Sequence, residues 1–346
     1  MKHNNISIFI PHNGCPNKCS FCNQHTISGA EKSPTADEVF QICEKALNEI
    51  SSPENTEIAF FGGSFTAIPR NYMLQLLETA VQFVGNGKFH GIRISTRPDC
   101  IDREILDILK HYGVTAIELG AQSMSNEVLE ANRRGHTSED VYKASNLIRE
   151  YGFELGLQMM VGLYKSQSSD EYATMERFIE IHPDTVRIYP VVILKGTELA
   201  DLYKSGEYVP VKKRGKMKAV VLMVATMLKS FEENGIEVIK CGLHASEFVE
   251  KDMVGGFYHP AFRELCEGYI YRQEMLKIIC SELDTHEEFI YMCKEEKNFI
   301  FAVNSSCISK AVGQKKSNIL YFNRNGVNIK IVGDESIPKY CVKLRR

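Results

Sequence analysis

Three cysteines near the start of the chain have a spacing that is suited to chemistry. Cys15, Cys19 and Cys22 follow the pattern Cys-x3-Cys-x2-Cys within PHNGCPNKCSFCNQ (residues 11–24), directly after the apolar run at 6–10. Thiols this close together could form disulfides, bind zinc or bind an iron–sulfur cluster. The composition of the chain bears on the first possibility, and the number of ligands bears on the other two.

The composition predicts a cytoplasmic protein with reduced thiols. The chain has 346 residues, is 44% apolar and carries a formal net charge of −3, which suits one large domain and a smaller one. Its first five residues lead straight into a short apolar run, unlike a signal peptide, and no apolar run approaches the roughly 20 residues that span a membrane. Disulfides are rare in a reducing compartment. The other eight of the 11 cysteines are scattered singly, which is typical of small buried hydrophobic residues.

Zinc and an iron–sulfur cluster both fit the cysteine stretch. Structural zinc takes four ligands, and His12 and His25 flank the cysteines. A [4Fe–4S] cluster held by only three thiolates leaves one iron open to another ligand. Radical S-adenosylmethionine (SAM) enzymes use that open iron, and Phe21, directly before Cys22, fits their signature. We therefore favour a [4Fe–4S] cluster with SAM over zinc, and either over three structural thiols.

Short apolar runs alternate with longer amphipathic stretches over the first 200 residues or so. The predicted strands are residues 6–10, 57–61, 91–95, 116–119, 154–161 and 185–193, and the predicted helices include 36–50, 71–84 and 102–113. This alternation is typical of βαβ units around a parallel sheet. About six units predict an α/β fold, a partial (β/α)6 barrel, with its chemistry in the loops at the carboxyl ends of the strands. The cysteines follow the first strand and therefore lie at that end.

A glycine pair follows the second strand, within FFGGSFT (residues 60–66). Gly62 and Gly63 would let a ligand approach bare backbone. Radical SAM enzymes carry a Gly-Gly-Glu-like segment here, which holds the amino group of SAM. Ser64 replaces the glutamate, so we expect the contact to come mainly from backbone carbonyls. A glycine pair alone also fits a tight turn, and it is the pairing with the cysteine motif that favours a SAM site.

Further motifs follow at later strand ends. They include ISTRPDCI (94–101), ELGAQS (118–123), RRGHT (133–137) and GGFYHPAFRELCEG (255–268). As an ordered set over roughly residues 5–270, they resemble the radical SAM domain of the Elongator catalytic-subunit (Elp3-like) family. The resemblance implies a radical SAM partial barrel with an oxygen-sensitive cluster on Cys15, Cys19 and Cys22. The cofactor-binding residues that it implies are Phe21, Gly62, Gly63, Ser64, Gln122 and Ser123.

The resemblance also indicates a substrate. That family modifies wobble uridine in tRNA, using its radical domain together with an acetyltransferase domain. About 76 residues follow residue 270, too few for an acetyltransferase domain, so we do not expect acetyl-CoA-dependent carboxymethylation by this chain alone. We predict a radical SAM enzyme that cleaves SAM, abstracts hydrogen from RNA or tRNA, and takes electrons from a ferredoxin or flavodoxin. Tyr189, His136 and His244 are candidate catalytic residues, although each also suits packing or the surface.

The C-terminal end of the chain is basic. Residues 299–346 hold nine Lys/Arg against two Asp/Glu, and residues 299–332 predict a strand, a short helix, the loop GQKK, a helix and a strand. This order resembles a minimal KH motif, whose GXXG loop grips a nucleic-acid backbone, with Lys316 in place of the second glycine. The candidate RNA-binding residues are Gly313, Lys315, Lys316, Arg324 and Lys330. A structural α+β cap with solvated lysines fits equally well.

These interpretations divide the chain into three parts. Residues 1–270 form the radical SAM partial barrel with a C-terminal extension, 271–298 a helical connector, and 299–346 a small basic KH-like α+β domain. Two other functions stay open: a radical SAM enzyme acting on a small metabolite, and a non-catalytic iron–sulfur or zinc RNA-binding protein that senses redox state. SAM turnover separates the sensor from an enzyme, and salt-sensitive RNA binding separates the two enzymes.

Overall fold

A computed structural model describes most of the chain. The described residues are 4–11, 15, 18–30, 32–210, 216–284, 286 and 297–345. His12, named above beside the cysteines, lies outside them. The chain forms two compact units: Met1–Lys212 with Ile236–Tyr258, and Lys213–Gly235 with His259–Arg346. This division differs from the predicted boundaries at 270 and 298. Residues 213–235 belong to the second unit, although residues 236–258, which follow them in the chain, belong to the first.

The first unit is built on one sheet of seven parallel strands. In chain order these are β1 (Asn4–Ile10), β2 (Thr56–Gly62), β3 (Gly91–Thr96), β4 (Val114–Gln122), β5 (Glu154–Val161), β6 (Thr185–Pro190) and, after the short strand β7 (Val192–Leu194), β8 (Glu237–Cys241). Each strand pairs with the next one in that order, and β7 pairs separately with β9 (Met253–Gly256). The predicted α/β partial barrel is confirmed, with a seventh strand that the prediction lacked.

Helices connect the strands of this unit. They are α1 (Gln24–Ser28), α2 (Ala36–Glu49), α3 (Arg70–Val81), α4 (Arg103–His111), α5 (Asn126–Ala131), α6 (Ser138–Glu150), α7 (Ser168–Ile181), α8 (Glu198–Ser205) and α10 (Glu247–Asp252). Helix α9 (Lys216–Glu233) belongs to the second unit. Local signals place their starts. Thr35 and Glu38 form a capping box at the start of α2, with the Glu38 amide donating to Thr35 Oγ1 at 3.2 Å. The predicted helices at 36–50, 71–84 and 102–113 correspond to α2, α3 and α4.

One predicted strand is two. Residues 185–193 were predicted as a single strand, but β6 ends at Pro190, and the chain continues as β7 in a different sheet. Val191 donates its amide to the carbonyl of Val161 at 2.9 Å and accepts from the Phe257 amide at 2.8 Å. The run is mostly apolar on both sides of Pro190, so hydrophobicity alone does not show the break.

Five charged side chains pair with one another on the inner face of the sheet, and three of them, Arg93, Glu57 and Glu118, are buried. Arg93 on β3 is fully buried, and its guanidinium lies 2.7 Å from carboxylates of Glu57 on β2 and Glu154 on β5. It also lies 3.5 Å from Glu118 on β4, which is itself 2.6 Å from Arg187 on β6. We call these five residues the charge chain. It connects five neighbouring strands below their carboxyl ends.

The second unit joins two long helices to a three-stranded sheet. The helices are α9 (Lys216–Glu233) and α11 (Phe262–Glu282), and the later elements are β10 (Lys297–Val303), α12 (Ile308–Val312), α13 (Ser317–Arg324), β11 (Val327–Gly333) and β12 (Lys343–Arg345). Strand β10 is central, parallel to β11 and antiparallel to β12. The predicted small α+β arrangement is confirmed. In the described parts of the chain, no helix is long and apolar enough to cross a membrane.

A buried carboxylate organises the second unit. Glu267 on α11 is 1% exposed. It lies 3.1 Å from Arg263 Nε and 3.3 Å from Lys310 Nζ, and it accepts a 3.1 Å hydrogen bond from the hydroxyl of Tyr340. One buried anion thus joins α11, α12 and the segment before β12.

The charge chain predicts that the sheet does not tolerate the loss of its cation. Arg93→Met leaves three carboxylates without their shared partner, so we expect the free energy of unfolding to fall by about 3–5 kcal/mol. Arg103→Met, which breaks an exposed 2.8 Å ion pair with Glu150, is the matched control and should cost no more than about 1 kcal/mol. Urea unfolding measures both, and equal losses would contradict the structural role of Arg93.

A second buried carboxylate makes stability depend on pH. Glu171, in the first turns of α7, is 5% exposed and accepts hydrogen bonds from the Gly162 amide and the Ser166 hydroxyl. Burial raises the pKa of this carboxyl from 4.5 to about 7. The folded protein therefore binds a proton more tightly than the unfolded chain does. Its contribution to stability is greatest below pH 4.5 and is lost as the pH rises towards 7.

Glu171→Gln should remove this dependence, because glutamine keeps an acceptor oxygen and does not ionise. Between pH 5 and pH 8, we expect the free energy of unfolding of the wild type to fall relative to the variant by on the order of 3 kcal/mol. Glu176→Gln, on an exposed position of the same helix, is the control and should follow the wild type. Urea unfolding across this pH range decides, and parallel curves for wild type and Glu171→Gln would refute the assignment.

Candidate active site

A cavity of about 570 Å³ lies within the first unit, and all three closely spaced cysteines line it. Every strand of the seven-stranded sheet contributes to its wall. The contributing residues include Ser7, Phe61, Ser95, Glu118, Gln158, Arg187 and Lys240. The carboxyl ends of parallel strands meet at one edge of a sheet, so the loops that follow them converge on this cavity. The cysteines and the glycine pair, predicted on neighbouring strands, are therefore brought together.

The three thiols affect one another. Burial, and then the neighbouring Cys19 and Cys15, raise the pKa of Cys22 to about 12. Burial and Cys19 likewise raise the pKa of Cys15. Cys15 and Cys22 therefore resist ionisation in the absence of a bound cation. A bound metal centre supplies the positive charge that deprotonates them, so the site suits a cationic occupant.

The positions of the three cysteines suit a [4Fe–4S] cluster better than a single metal ion. Within the described residues, no three Cys, His, Asp or Glu side chains converge on a point where one metal ion could sit. Thiolates that hold a [4Fe–4S] cluster each bind a different iron, so they need to share a cavity and not a single point. Cys15, Cys19 and Cys22 share this cavity.

Side chains after the cysteines fix their loop to the neighbouring strand. Asn23 caps α1 by accepting from the Thr26 amide at 3.2 Å, and it donates to the carbonyl of Lys195 at 3.2 Å. Gln24 donates from Nε2 to the carbonyl of Gly62, at the end of β2. The motif and the glycine pair are thus tied by a direct hydrogen bond.

The glycine pair meets two demands. Gly62 has φ of 112°, and a Cβ there would stand 2.8 Å from the carbonyl oxygen of Ile10, so only glycine suits the approach of β2 to β1. Gly63 donates its amide to that same oxygen at 2.8 Å and lines the cavity. Ser64 is buried, and its hydroxyl accepts from the Arg97 amide at 3.2 Å and lies 3.0 Å from Thr96 Oγ1. It therefore connects the ends of β2 and β3.

Arg97 and Gln122 are among the cavity-lining residues whose buried polar atoms have no hydrogen-bond partner within the described parts of the chain. Arg97 forms two hydrogen bonds with Asp99, at 2.8 and 2.7 Å, and its Nη1 stays unpaired. Gln122 takes up a left-handed backbone with φ of 67°, and its Oε1 is unpaired. Non-glycine residues adopt this conformation at a cost, which suits a functional position. Sequence analysis found Gln122 but missed Arg97, whose only signal was a basic residue directly after β3.

The other predicted site residues separate into two groups. Phe21, Tyr189 and His244 line the cavity, whereas His136 and Ser123 are not among its lining residues. His136 is buried with Nε2 3.2 Å from the carbonyl of Ala121, and burial lowers its pKa to about 4, so the imidazole is neutral at physiological pH. The Ser123 hydroxyl accepts from the Ser125 amide at 3.1 Å, just before α5. Both therefore support the end of β4.

The cavity is lined by both polar and aromatic side chains. Gln158 donates to Glu118 at 3.0 Å, and Glu118 also pairs with Arg187 of the charge chain. Phe61 and Phe9 also line the cavity, and the Arg187 guanidinium lies 5.0 Å from the centre of the Phe61 ring. Such a wall suits a planar substrate with both apolar faces and hydrogen-bonding edges.

In the second unit, Gly313 has a packing role. It is buried with φ of 80°, and a Cβ at Gly268 on α11 would stand 3.4 Å from its Cα. Asn318 donates to the carbonyl of Gly268 at 2.8 Å and holds the start of α13 there. Lys315 and Lys316 project from the same loop, exposed, with left-handed backbones. Gly313, the glycine of the predicted KH-like loop, thus allows α11 to pack closely against this loop. Lys315 and Lys316 are the exposed residues of the loop.

The remaining predicted RNA-binding residues lie elsewhere. Arg324 stands at the opposite end of α13 from the lysine loop. Lys330 alternates with Ile329 and Ile331, so it lies on the sheet face away from the helices. Strand register places Lys330 and Arg345 on either side of Ile300, with Lys343 beside Ala302. We call the surface that Lys330, Lys343 and Arg345 share the outer sheet face. Lys343 and Arg345 were not among the residues predicted from the sequence.

Two family models match consecutive parts of the chain. The family model described as "Radical SAM superfamily" matches residues 9–177, and the model described as "Radical_SAM C-terminal domain" matches residues 183–272. The first match contains the cysteine motif, the glycine pair and Gln122. The second begins before β6 and ends within α11.

Two curated relatives show similarity to this chain over part of its length. The tRNA uridine(34) acetyltransferase of Methanocaldococcus jannaschii is 36% identical over 140 residues, which are 39% of this chain and 26% of that protein. Elongator complex protein 3 of Mus musculus is 32% identical over 186 residues, covering 45% of this chain and 32% of that protein. The chain therefore matches about a quarter to a third of the length of these relatives.

A solved structure shares the fold. The structure of archaeal Methanocaldococcus infernus Elp3 with an N-terminal deletion aligns with a TM-score of 0.59 and 20% identity, covering 78% of this chain and 63% of that one. At this identity the likeness concerns the fold alone. Because consecutive family matches account for residues 9–177 and 183–272 on this parallel sheet, the chain belongs to the radical SAM superfamily.

Proposed function

We propose that the protein is a radical SAM enzyme that holds a [4Fe–4S] cluster on Cys15, Cys19 and Cys22 and modifies RNA, with tRNA as the favoured substrate. One observation carries the catalytic part: the three thiols line the same cavity as the backbone of Gly63, which follows the neighbouring parallel strand. A ferredoxin or flavodoxin is the proposed electron donor.

The residues of the chain position the cofactors and shield them from solvent. When bound together, the cluster and SAM supply one-electron cleavage of SAM and hydrogen abstraction from the substrate. The Arg97 guanidinium, with its unpaired Nη1, offers a donor to a carboxylate, and Gln122 Oε1 offers an acceptor to an amino group. The amino-acid end of SAM carries both groups. Gly63 keeps this wall free of a side chain.

Charge in the second unit supports an RNA substrate. Lys310 and Lys339 there form ion pairs with Glu267 and Glu232, whereas two other groups of cations form no ion pair within the described residues. These groups are the lysine loop (Lys315 and Lys316) and the outer sheet face (Lys330, Lys343 and Arg345). Exposed cations that form no ion pair are suited to phosphates, although Arg345 and Lys343 also help to lower the pKa of the nearby Asp334. The relatives named tRNA uridine(34) acetyltransferase supply an independent reason to favour tRNA.

A small-metabolite substrate is the second candidate, because Gly313 is explained by packing against α11. The test is anaerobic reconstitution of the protein followed by an assay for 5′-deoxyadenosine, with and without total tRNA. We expect SAM cleavage, with tRNA increasing it. SAM cleavage that is unaffected by tRNA would favour the small metabolite, and no cleavage under any condition would contradict the enzyme.

The cysteine motif provides the first test of the cluster. Alanine at any one of Cys15, Cys19 or Cys22 should abolish iron binding and SAM cleavage, because the remaining two thiolates cannot hold the cluster. Cys43→Ala and Cys280→Ala, at cysteines outside the cavity lining, are the controls and should keep both. Iron content and the visible absorption spectrum report on the cluster. A full cluster spectrum from the triple Cys→Ala variant would overturn the proposal.

RNA binding tests the second unit. Reversing both charges of the lysine loop (Lys315→Glu with Lys316→Glu) should weaken RNA binding much more than tenfold at low salt, and Lys330→Glu with Lys343→Glu tests the outer sheet face in the same way. The wild type should lose affinity with a log–log slope of about −0.7 per phosphate neutralised on a single strand. Lys45→Glu with Lys204→Glu, on exposed lysines of the first unit, controls for net charge.

These second-unit variants should keep the cluster and SAM cleavage without substrate, since their residues do not line the cavity. Fluorescence anisotropy with labelled tRNA measures the affinity across a salt series. No affinity of the wild type at low salt would remove RNA from the proposal. Unchanged affinity in both double variants would return this unit to a structural role.

A further inference from the structure

The segment between α5 and α6 contacts the cysteine loop directly. Asn132 is fully buried, and it accepts from the Ser20 amide through its carbonyl at 3.2 Å and from the Ser20 hydroxyl through Oδ1 at 2.8 Å. Its Nδ2 donates to the carbonyls of Val128 at 2.8 Å and Tyr164 at 2.9 Å. All the hydrogen-bonding groups of its side chain are used. Asn132 thus fixes Ser20, which adjoins Cys19, to two loops at the top of the sheet.

Arg134 reaches the cysteine itself. Its Nη1 lies 3.1 Å from Cys19 Sγ, and its Nη2 donates to the carbonyl of Gly120 on β4. The side chain lines the cavity and is 7% exposed. A guanidinium is always protonated in a protein, so this contact places a full positive charge against one predicted cluster ligand.

The backbone on either side directs Arg134 inwards. Arg133 and Gly135 have positive φ values of 54° and 71°, so the chain turns sharply before and after Arg134. Arg133 points the other way and pairs with Glu198 at 2.6 Å on the surface. The Arg134 amide donates to the carbonyl of Leu129 at 2.9 Å, which holds the turn against α5. Two adjacent arginines therefore have the same charge and opposite environments.

The charge of Arg134 is not offset nearby. Arg97, a second arginine of the cavity wall, forms a bidentate ion pair with Asp99, and Arg187, a third, pairs with Glu118. Arg134 has no carboxylate within ion-pair distance among the described residues, and its buried Nε has no hydrogen-bond partner there. Its contacts are a sulfur and a carbonyl, so the cation acts on the thiolate without a competing anion.

We propose that Arg134 is a positioning residue for the cluster: it holds the sulfur of Cys19 in place and raises the reduction potential of the cluster bound there. This inference rests on the proposed function, since it needs a cluster on the three cysteines. Reduction adds one electron, taken from a ferredoxin- or flavodoxin-class donor, and makes the site more negative. Hydrogen bonds to cluster sulfurs and nearby charge are the levers that set such potentials, and a buried cation favours the reduced state.

The test is a redox titration of the reconstituted protein without SAM. Dithionite supplies the electrons, and electron paramagnetic resonance reports the reduced fraction. For Arg134→Gln we expect the ratio of reduced to oxidised cluster at a fixed potential to fall by about tenfold, which is a 59 mV shift for a one-electron couple. Arg133→Gln removes the same charge one residue away, on the surface, and should titrate like the wild type.

A conservative variant keeps the test decisive if Arg134→Gln does not take up iron. Arg134→Lys retains the charge, so we expect it to restore the cluster with a potential between those of Arg134→Gln and the wild type. A Lys variant that restores neither would show that the positive charge is not what matters, and would overturn the inference. So would a fully loaded Arg134→Gln protein with the wild-type potential. A wild-type protein that holds no cluster would instead refute the proposed function.

Discussion

The charge chain on the inner face of the sheet is the constraint on which the cavity depends. Arg93 satisfies carboxylates from β2, β4 and β5 at once, and Glu118 extends the contacts to Arg187 on β6. Buried ion pairs add little net stability compared with apolar packing, but leaving one charge unpaired is costly. Strand pairings that separate these charges are therefore strongly disfavoured, which fixes how the strand ends are arranged above them.

The loops at those ends use the fixed arrangement in different ways. The cysteine loop carries the proposed metal ligands but depends on outside contacts: Gln24 ties it to Gly62 on β2, and Asn132 and Arg134 hold it from the segment after α5. Each contact crosses from one βα unit to another. Chemistry in the proposed site therefore needs several loops to be placed together, which a continuous parallel sheet provides.

In the second unit, basic residues are divided between the buried interior and the surface. Its buried charge, Glu267, is satisfied by Arg263, Lys310 and Tyr340, so the interior of the unit uses some of the basic residues that the sequence supplies. Two further groups of exposed cations are the lysine loop, between α12 and α13, and the outer sheet face. An extended polyanion could contact both groups at once, whereas a compact anion could contact only one of them. This is why the two groups of variants are separate experiments.

The sequence by itself determined the features that depend on local pattern. Strand–helix alternation predicted the parallel α/β fold, because periodicity reflects burial along each element, and the cysteine spacing with Gly62 and Gly63 predicted where the site lies, because consecutive strand ends meet at one edge. Tertiary structure alone decided what depends on contacts between distant segments. It separated β7 from β6, moved His136 off the cavity wall, and placed Arg134 against Cys19, 115 residues away in the chain. An arginine in a loop carries no local sign of its partner, since that partner is chosen by the packing of two loops that only the folded sheet brings into contact.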